Sequence, residues 1–138
     1  MDQSTQPNPH VLVTEDDPAM RLLLRDILSE DGYRVSVIDD WDPAEVKRLR
    51  PDVLLLDYRG DARDSGWDFL MLLKADPETA GIPAIFLTAD HQAIEARAER
   101  LATLGVRSVL KPFDVVDLVD AVQTAMTAAE RARGDGHG

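Results

Sequence analysis

The sequence predicts an α/β protein with a doubly wound sheet of five parallel strands. Five short apolar runs alternate with five helical patterns along the 138 residues, and strands that alternate with helices form parallel sheets covered on both faces. Right-handed crossovers leave few arrangements of such a sheet. One common strand order, 2-1-3-4-5, makes the first and third strands central neighbours, and ligands then bind beyond the carboxyl ends of the strands.

The five apolar runs are short, and most are rich in β-branched residues, as strands are. They cover residues 11–13, 35–38, 53–56, 85–87 and 106–110. The third run is continuously apolar, which is typical of a strand that is covered on both faces.

Helical spacing and end signals define the first helix. Its apolar residues recur at intervals of three and four, so we expect them to form one buried face: Met20, Leu23, Leu24, Ile27 and Leu28. Asp17 is placed to cap the helix, Pro18 suits the first helical position, and Gly32 suits the end.

The other four helices follow the same signals. We expect helices at about residues 43–49, 67–75 and 92–104, and a last one that begins after Asp114. Residues 1–8 are expected to form a flexible segment, residues 9–130 one domain, and residues 131–138 a disordered tail.

Composition excludes several classes of function. The 15 basic and 26 acidic residues give a net charge of −11, which argues against direct nucleic-acid binding through cationic contacts to phosphates. The absence of cysteine excludes disulfides and thiolate metal sites. No apolar run approaches the roughly 18 residues that span a membrane, and the polar amino terminus lacks a secretory signal pattern. We therefore expect no membrane association and a cytoplasmic location.

Polar residues stand where the predicted strands end. Residues 14–17 follow the first strand, Asp57 the third, residues 88–89 the fourth and Lys111 the fifth. Carboxylates that converge at one edge of a sheet repel each other unless a cation lies among them. Ligands that are all oxygen suit Mg²⁺, which keeps positions open for a phosphoryl oxygen. This pattern indicates phosphoryl transfer, in which positioning and charge neutralisation do most of the catalysis.

Four segments carry a resemblance to a known family. They are residues 11–21, 51–57, 81–89 and 111–113, in that order. Together they resemble the response-regulator receiver domain of two-component signalling, over about residues 9–130. The resemblance implies a CheY-like, or flavodoxin-like, sheet with the strand order 2-1-3-4-5.

The resemblance also implies roles for individual residues. Asp57 would accept a phosphoryl group from a sensor histidine kinase or a phosphotransfer protein. Mg²⁺ would be held by Glu15, Asp16, Asp57 and the backbone carbonyl of Arg59. The phosphoryl group would be bound by Thr88, Ala89 and Lys111, and the Lys111–Pro112 bond is expected to be cis.

Three positions are expected to modulate the switch. Ser108 stands where relatives usually carry an aromatic residue, three positions before Lys111. Arg59 and Asp90 flank the expected approach of water to the phosphoryl group, and their opposite charges could pair and slow hydrolysis.

The resemblance implies a protein that switches its affinity for a downstream partner. The length leaves no room for an output domain, so we expect a single-domain regulator or a receiver cut from a longer chain. The partner is not specified by the sequence. A monomer is expected, or a weak homodimer through the face formed by the fourth and fifth helices.

Two other functions remain open. A degenerate receiver would mediate protein contacts without phosphorylation, although such proteins normally lack the acceptor or the acidic pair. A phosphatase of the haloacid-dehalogenase type would need a second aspartate two residues after its nucleophile, where this chain has Arg59. We therefore expect no enzymatic activity beyond the protein's own phosphorylation and dephosphorylation.

The remaining polar residues are expected to be structural. Asp52 precedes the third strand and should lie in a loop far from the site. His10 and His91 have no partners at ligand spacing and are expected at the surface.

Overall fold

A computed structural model describes residues 8–38, 41–58 and 65–135. Within these ranges the chain forms five strands: β1 (His10–Thr14), β2 (Arg34–Ile38), β3 (Val53–Asp57), β4 (Ala84–Thr88) and β5 (Arg107–Leu110). Six helices lie between and after them: α1 (Pro18–Glu30), α2 (Pro43–Leu49), α3 (Ser65–Ala75), α4 (His91–Ala96), α5 (Ala98–Leu104) and α6 (Val115–Asp135). None of the helices described is both long enough and apolar enough to cross a membrane.

The strands form one parallel sheet in the order β2-β1-β3-β4-β5. The predicted fold class and strand order are therefore confirmed. In the register of the sheet, Thr14 lies opposite Leu56, Asp57 opposite Leu87, and Thr88 opposite Leu110. The carboxyl ends of four strands are thus neighbours along one edge.

Each face of the sheet carries its own hydrophobic core, because side chains alternate between the faces along each strand. On one face, Val53 and Leu55 of β3 pack with buried residues of α1 and α6. On the other face, Leu54 and Leu56 pack with buried residues of α2, α3 and α5. The central strands β1, β3 and β4 are buried along their whole length, as expected for strands covered on both faces.

The ends of α1 follow the predicted signals. The Asp17 side chain accepts a hydrogen bond from the backbone N–H of Ala19 at 3.1 Å, and Pro18 is the first helical residue. Gly32, just past the helix, has a φ of +93°, a value that glycine adopts at little cost.

The predicted buried face of α1 is wrong at one position. Leu24, Ile27 and Leu28 are buried, but Leu23 is 45% exposed, like its neighbour Leu22 at 64%. The helix contacts the sheet along a narrow stripe, and the turn of about 100° per residue places Leu23 beside that stripe.

The predicted helix at residues 92–104 is broken in two. Its backbone departs from helical geometry at Arg97, where φ is −114°, so α4 ends before this residue and α5 begins after it. The sequence has no glycine or proline there that would interrupt a helix. The side chain of Arg97 donates a hydrogen bond to the hydroxyl of Tyr58, just past the end of β3.

The last helix is longer than predicted. Residues 131–135, which the sequence assigns to a disordered tail, continue α6. This stretch continues a segment rich in alanine, glutamate and arginine, which have high helix propensities, and no proline interrupts it.

Candidate functional site

A cavity of about 550 Å³ opens at the carboxyl ends of the strands. Its lining combines acidic, hydroxyl and lysine side chains from four loops: Glu15, Asp17, Asp57, Tyr58, Thr88, Ala89, Asp90, His91, Gln92 and Lys111. The sheet register brings them together, since the strands that carry them are hydrogen-bonded neighbours. The cavity is the candidate site.

Asp57 is the last residue of β3 and only 8% exposed. Its backbone N–H donates to the hydroxyl of Thr14 at 3.2 Å. One carboxylate oxygen, Oδ1, accepts from the Nζ of Lys111 at 3.0 Å. Asp57 is thus fixed by the central strand, and its carboxylate faces the cavity.

Two further carboxylates stand beside Asp57. Glu15, Asp16 and Asp57 each offer an oxygen, and these three oxygens lie within 4.8 Å of one another. Glu15 is 4% exposed, whereas Asp16 is exposed. Burial and the charge of Asp57 raise the pKa of Glu15, although the N–H of Asp17 and the ammonium of Lys111 stabilise its ionised form.

This group of residues fits a hard divalent cation. The donors are carboxylate oxygens, with no sulfur or imidazole among them, as Mg²⁺ prefers. A cation would also relieve the mutual repulsion of the carboxylates. Arg59, whose carbonyl is expected to be a further ligand, lies outside the described residues.

The hydroxyl and lysine predicted from the strand ends reach the same cavity. Thr88 is 1% exposed, and its Oγ1 accepts from the backbone N–H of Asp90 at 3.0 Å. Lys111 Nζ lies 3.0 Å from Asp57 Oδ1 and 3.4 Å from Glu15 Oε1. Ala89 lines the cavity beside Thr88. The Lys111–Pro112 peptide bond is cis, as the resemblance implies.

The three expected modulators differ in their placement. Asp90 lines the cavity and caps α4, since its side chain accepts from the N–H of Ala93 at 2.9 Å. Its pairing with Arg59 falls outside the described residues and stays a prediction. Ser108 is exposed on β5, opposite Phe86 in the register, and is not among the residues that line the cavity.

The sequence placed Thr14 at this edge of the sheet without giving it a role, and it did not indicate Tyr58 or His91 as residues of the site. Thr14 bonds to the backbone of Asp57, and Tyr58 and His91 line the cavity. Tyr58 directly follows the last residue of β3, which is a signal that could have indicated it. His91 is exposed, as predicted, and begins α4 directly after the cap Asp90.

The prediction for His10 is wrong. This histidine is 5% exposed, and its Nε2 lies 2.7 Å from the hydroxyl of Ser36. Asp52 lies at this amino end of the sheet, as expected, where its Oδ2 accepts from the backbone N–H of His10 at 2.8 Å. His10 is buried because β1 pairs with a strand on either side.

Comparisons with known proteins agree with this geometry. A family model, the response regulator receiver domain, matches residues 11–123. The phosphate regulon transcriptional regulatory protein PhoB of Rhizobium meliloti is 36% identical over 125 residues, which are 88% of this chain and 54% of that protein. The DNA-binding response regulator MtrA of Mycolicibacterium smegmatis is 32% identical over 127 residues, or 87% and 51% of the two chains. This chain therefore spans about half the length of these curated relatives.

Solved structures show the same fold. The chemotaxis response regulator CheY4 of Vibrio cholerae has a TM-score of 0.73 and 22% identity, over 86% of this chain and 98% of that one. The signal receiver domain of an HD domain-containing protein from Pseudomonas fluorescens has a TM-score of 0.76 and 18% identity, over 94% of both chains. At this level of identity the likeness concerns the fold.

Proposed function

Since the chain belongs to the response regulator receiver domain family, we propose that it is a phosphoacceptor whose Asp57 takes a phosphoryl group from a histidine. The observation that carries this proposal is the buried carboxylate of Asp57, which lies 3.0 Å from Lys111 Nζ and in one cluster with the carboxylates of Glu15 and Asp16. The donor would be a sensor histidine kinase or a phosphotransfer protein.

The transfer exchanges one bond to phosphorus for another. A carboxylate oxygen of Asp57 attacks the phosphorus, the bond between phosphorus and the imidazole nitrogen breaks, and the imidazole leaves with the bonding pair. The Lys111 ammonium, already beside Asp57, offsets negative charge on the phosphoryl oxygens. Mg²⁺ bound by Glu15, Asp16 and Asp57 would neutralise further charge on those oxygens.

Thr88 is placed to respond to the new group. Its hydroxyl now accepts from the N–H of Asp90, and it can donate its own hydrogen to a phosphoryl oxygen. Drawing Thr88 toward Asp57 would weaken the contact with Asp90 and so alter the start of α4. A downstream partner that contacts this region would then distinguish the two states.

We infer that this chain exerts its downstream effect by binding a partner protein. The curated relatives are named as transcriptional or DNA-binding regulators, but this chain matches only about half of each. We infer a cytoplasmic switch that contacts a downstream protein and no nucleic acid, as a monomer or as a weak homodimer through the α4 to α6 face. Its own phosphorylation and dephosphorylation are the only reactions assigned to it.

The degenerate receiver remains the main alternative. It is disfavoured because the carboxylates of the acceptor and of the acidic pair form one cluster, and the lysine lies beside the acceptor. The phosphatase would be supported only by rapid turnover of a generic phosphate ester, which we do not expect.

Intact-mass spectrometry after treatment with acetyl phosphate and Mg²⁺ tests the proposal. We expect the wild type to gain one phosphoryl group and Asp57→Asn to gain none, because an amide is not an anionic nucleophile. Asp52→Asn is the matched control, an aspartate at the opposite end of the sheet, and should be phosphorylated normally. Phosphorylation of Asp57→Asn at the wild-type rate would refute the assignment.

A further inference from the structure

Tyr58 directly follows the proposed phosphoacceptor and is 2% exposed. Its backbone N–H donates to the carbonyl of Leu87 at 3.0 Å. Its ring stacks on Phe86, with centroids 4.6 Å apart and planes inclined by 14°. Because β4 holds the ring in this way, the phenol hydroxyl occupies a defined position.

That hydroxyl contacts the break between α4 and α5. The Nε of Arg97, the residue at the break, donates to it at 3.1 Å. The guanidinium carbon also lies 4.0 Å from the ring centroid of Trp67, in the first turn of α3. A planar guanidinium can donate a hydrogen bond and stack on an aromatic face at once. Arg97 therefore joins the end of β3, the start of α3 and the α4–α5 junction.

The segment that Arg97 holds is only partly buried, with Ala93 and Ile94 of α4 and Leu104 of α5 packed against the core as partly buried residues. Helix α4 has no buried residue, and Leu101 is the buried residue of α5. The start of α4 is held by the hydrogen bond from Asp90 N–H to Thr88 Oγ1, and its end by Arg97. Segments with little buried apolar surface are the ones that move at low free-energy cost.

We propose that the hydrogen bond between Tyr58 and Arg97 transmits phosphorylation of Asp57 to α5. This inference rests on the proposed function. Thr88 and Tyr58 line the same cavity as Asp57, and they bond to residues at the two ends of α4. Phosphorylation of Asp57 would therefore act on both ends of this helix. A bound group shifts a conformational equilibrium only through contacts that differ between the states, and the Tyr58–Arg97 contact supplies such a difference beyond the reach of Thr88.

The test is Tyr58→Phe, which removes the hydroxyl and keeps the ring on Phe86. Backbone amide NMR spectra of the full chain are recorded with Mg²⁺, before and after addition of beryllofluoride as a phosphoryl mimic. In the wild type we expect changes at both residues 90–93 and residues 98–104. In Tyr58→Phe the changes at 90–93 should remain, and those at 98–104 should fall severalfold. Arg97→Met should give the same pattern.

Arg100→Ala is the matched control, since Arg100 is an exposed arginine of α5, and it should respond like the wild type. Full-sized changes at residues 98–104 in Tyr58→Phe would overturn the inference, as would a wild type without changes there. Acetyl phosphate labelling, followed by intact mass, separates the two proposals. If Asp57 of the wild type is not labelled, both fail; if it is labelled and the α5 response survives in Tyr58→Phe, only this inference fails.

Discussion

The two ends of the sheet bury polar side chains in different ways. At the amino end, the ring of His10 is hydrogen-bonded to the hydroxyl of Ser36, and its backbone N–H donates to the carboxylate of Asp52. Nearby, Lys74 Nζ donates to the carbonyls of Ala80 and Ile82 at 3.1 and 3.4 Å. In these contacts the donors and acceptors both belong to the chain itself, as is usual for buried polar groups.

At the carboxyl end, like charges are brought together. Among the described residues, the carboxylates of Glu15, Asp16 and Asp57 converge, and Lys111 bonds to two of them. At both ends burial favours the neutral form of a titratable side chain. It therefore lowers the pKa of His10 and raises the pKa of Glu15. At each end a neighbouring like charge adds to the effect of burial, Arg34 for His10 and Asp57 for Glu15. The ends differ in that, among the described residues, three carboxylates converge at the carboxyl end. This convergence of carboxylates distinguishes the carboxyl end and supports the proposed cation site there.

The two lysines give the sharpest test of this contrast. Lys74→Met should lower the free energy of unfolding by about 1 to 2 kcal/mol, because it removes the donor to two carbonyls, and millimolar Mg²⁺ should not change this loss. Lys111→Met should also destabilise, because it removes the ammonium from between carboxylates, but Mg²⁺ should restore part of the loss. Urea unfolding with and without Mg²⁺ measures both. An equal loss in both conditions for Lys111→Met would contradict the contrast.

Metal binding should stabilise the carboxyl end directly. At a concentration ten times its dissociation constant, Mg²⁺ should add about 1.4 kcal/mol to the free energy of unfolding of the wild type. Asp16→Asn should lose most of this gain, because it removes one carboxylate ligand. Without metal, this variant should be at least as stable as the wild type, since one of three crowded carboxylates is neutralised. Thermal melting with Mg²⁺ and with EDTA measures the gain. A wild-type melting curve that ignores Mg²⁺ would argue against the site.

The amino end should show its own dependence on pH. Burial, and then the charge of Arg34, lower the pKa of His10, while Asp52 opposes them. The unfolded chain therefore binds this proton first as the pH falls below about 6.5, and the folded state loses stability. His10→Asn should cost about 1 kcal/mol in mildly alkaline solution through the lost contact with Ser36. This difference should shrink on acidification, as measured by urea unfolding; a gap that widens instead would be inconsistent with the burial of a neutral ring.

The smallest effect is expected on the lifetime of the phosphorylated state. Asp90→Asn keeps an oxygen to cap α4 but removes the charge expected to pair with Arg59. Dephosphorylation should accelerate by up to about fivefold, the effect of about 1 kcal/mol in the barrier. Asp52→Asn, at the other end of the sheet, should leave the half-life unchanged. Equal half-lives for the wild type, Asp90→Asn and Arg59→Ala would contradict the expected pairing of Asp90 with Arg59.

Much of the carboxyl end could be predicted from the sequence. Apolar runs located all five strands, with each end within one residue of the bounds in the structure. Asp57, Thr88 and Lys111 follow three of these runs, and parallel topology carries the residues that follow strands to one edge. Their meeting in one cavity is therefore a consequence of local pattern and chain order.

The sequence by itself determined the alternation of strands and helices and the cap of the first helix, because each depends on neighbours a few positions away. It also indicated the gathering of acids at one edge, because chain order in a parallel sheet carries the residues that follow strands to that edge. Only the tertiary structure decided the break at Arg97, which bonds across 39 positions to Tyr58, and the burial of His10, whose partner Ser36 is 26 positions away. Such contacts leave no periodic trace in the chain. They exist because packing brings distant segments together, and the free energy of satisfying buried polar groups then outweighs local preference.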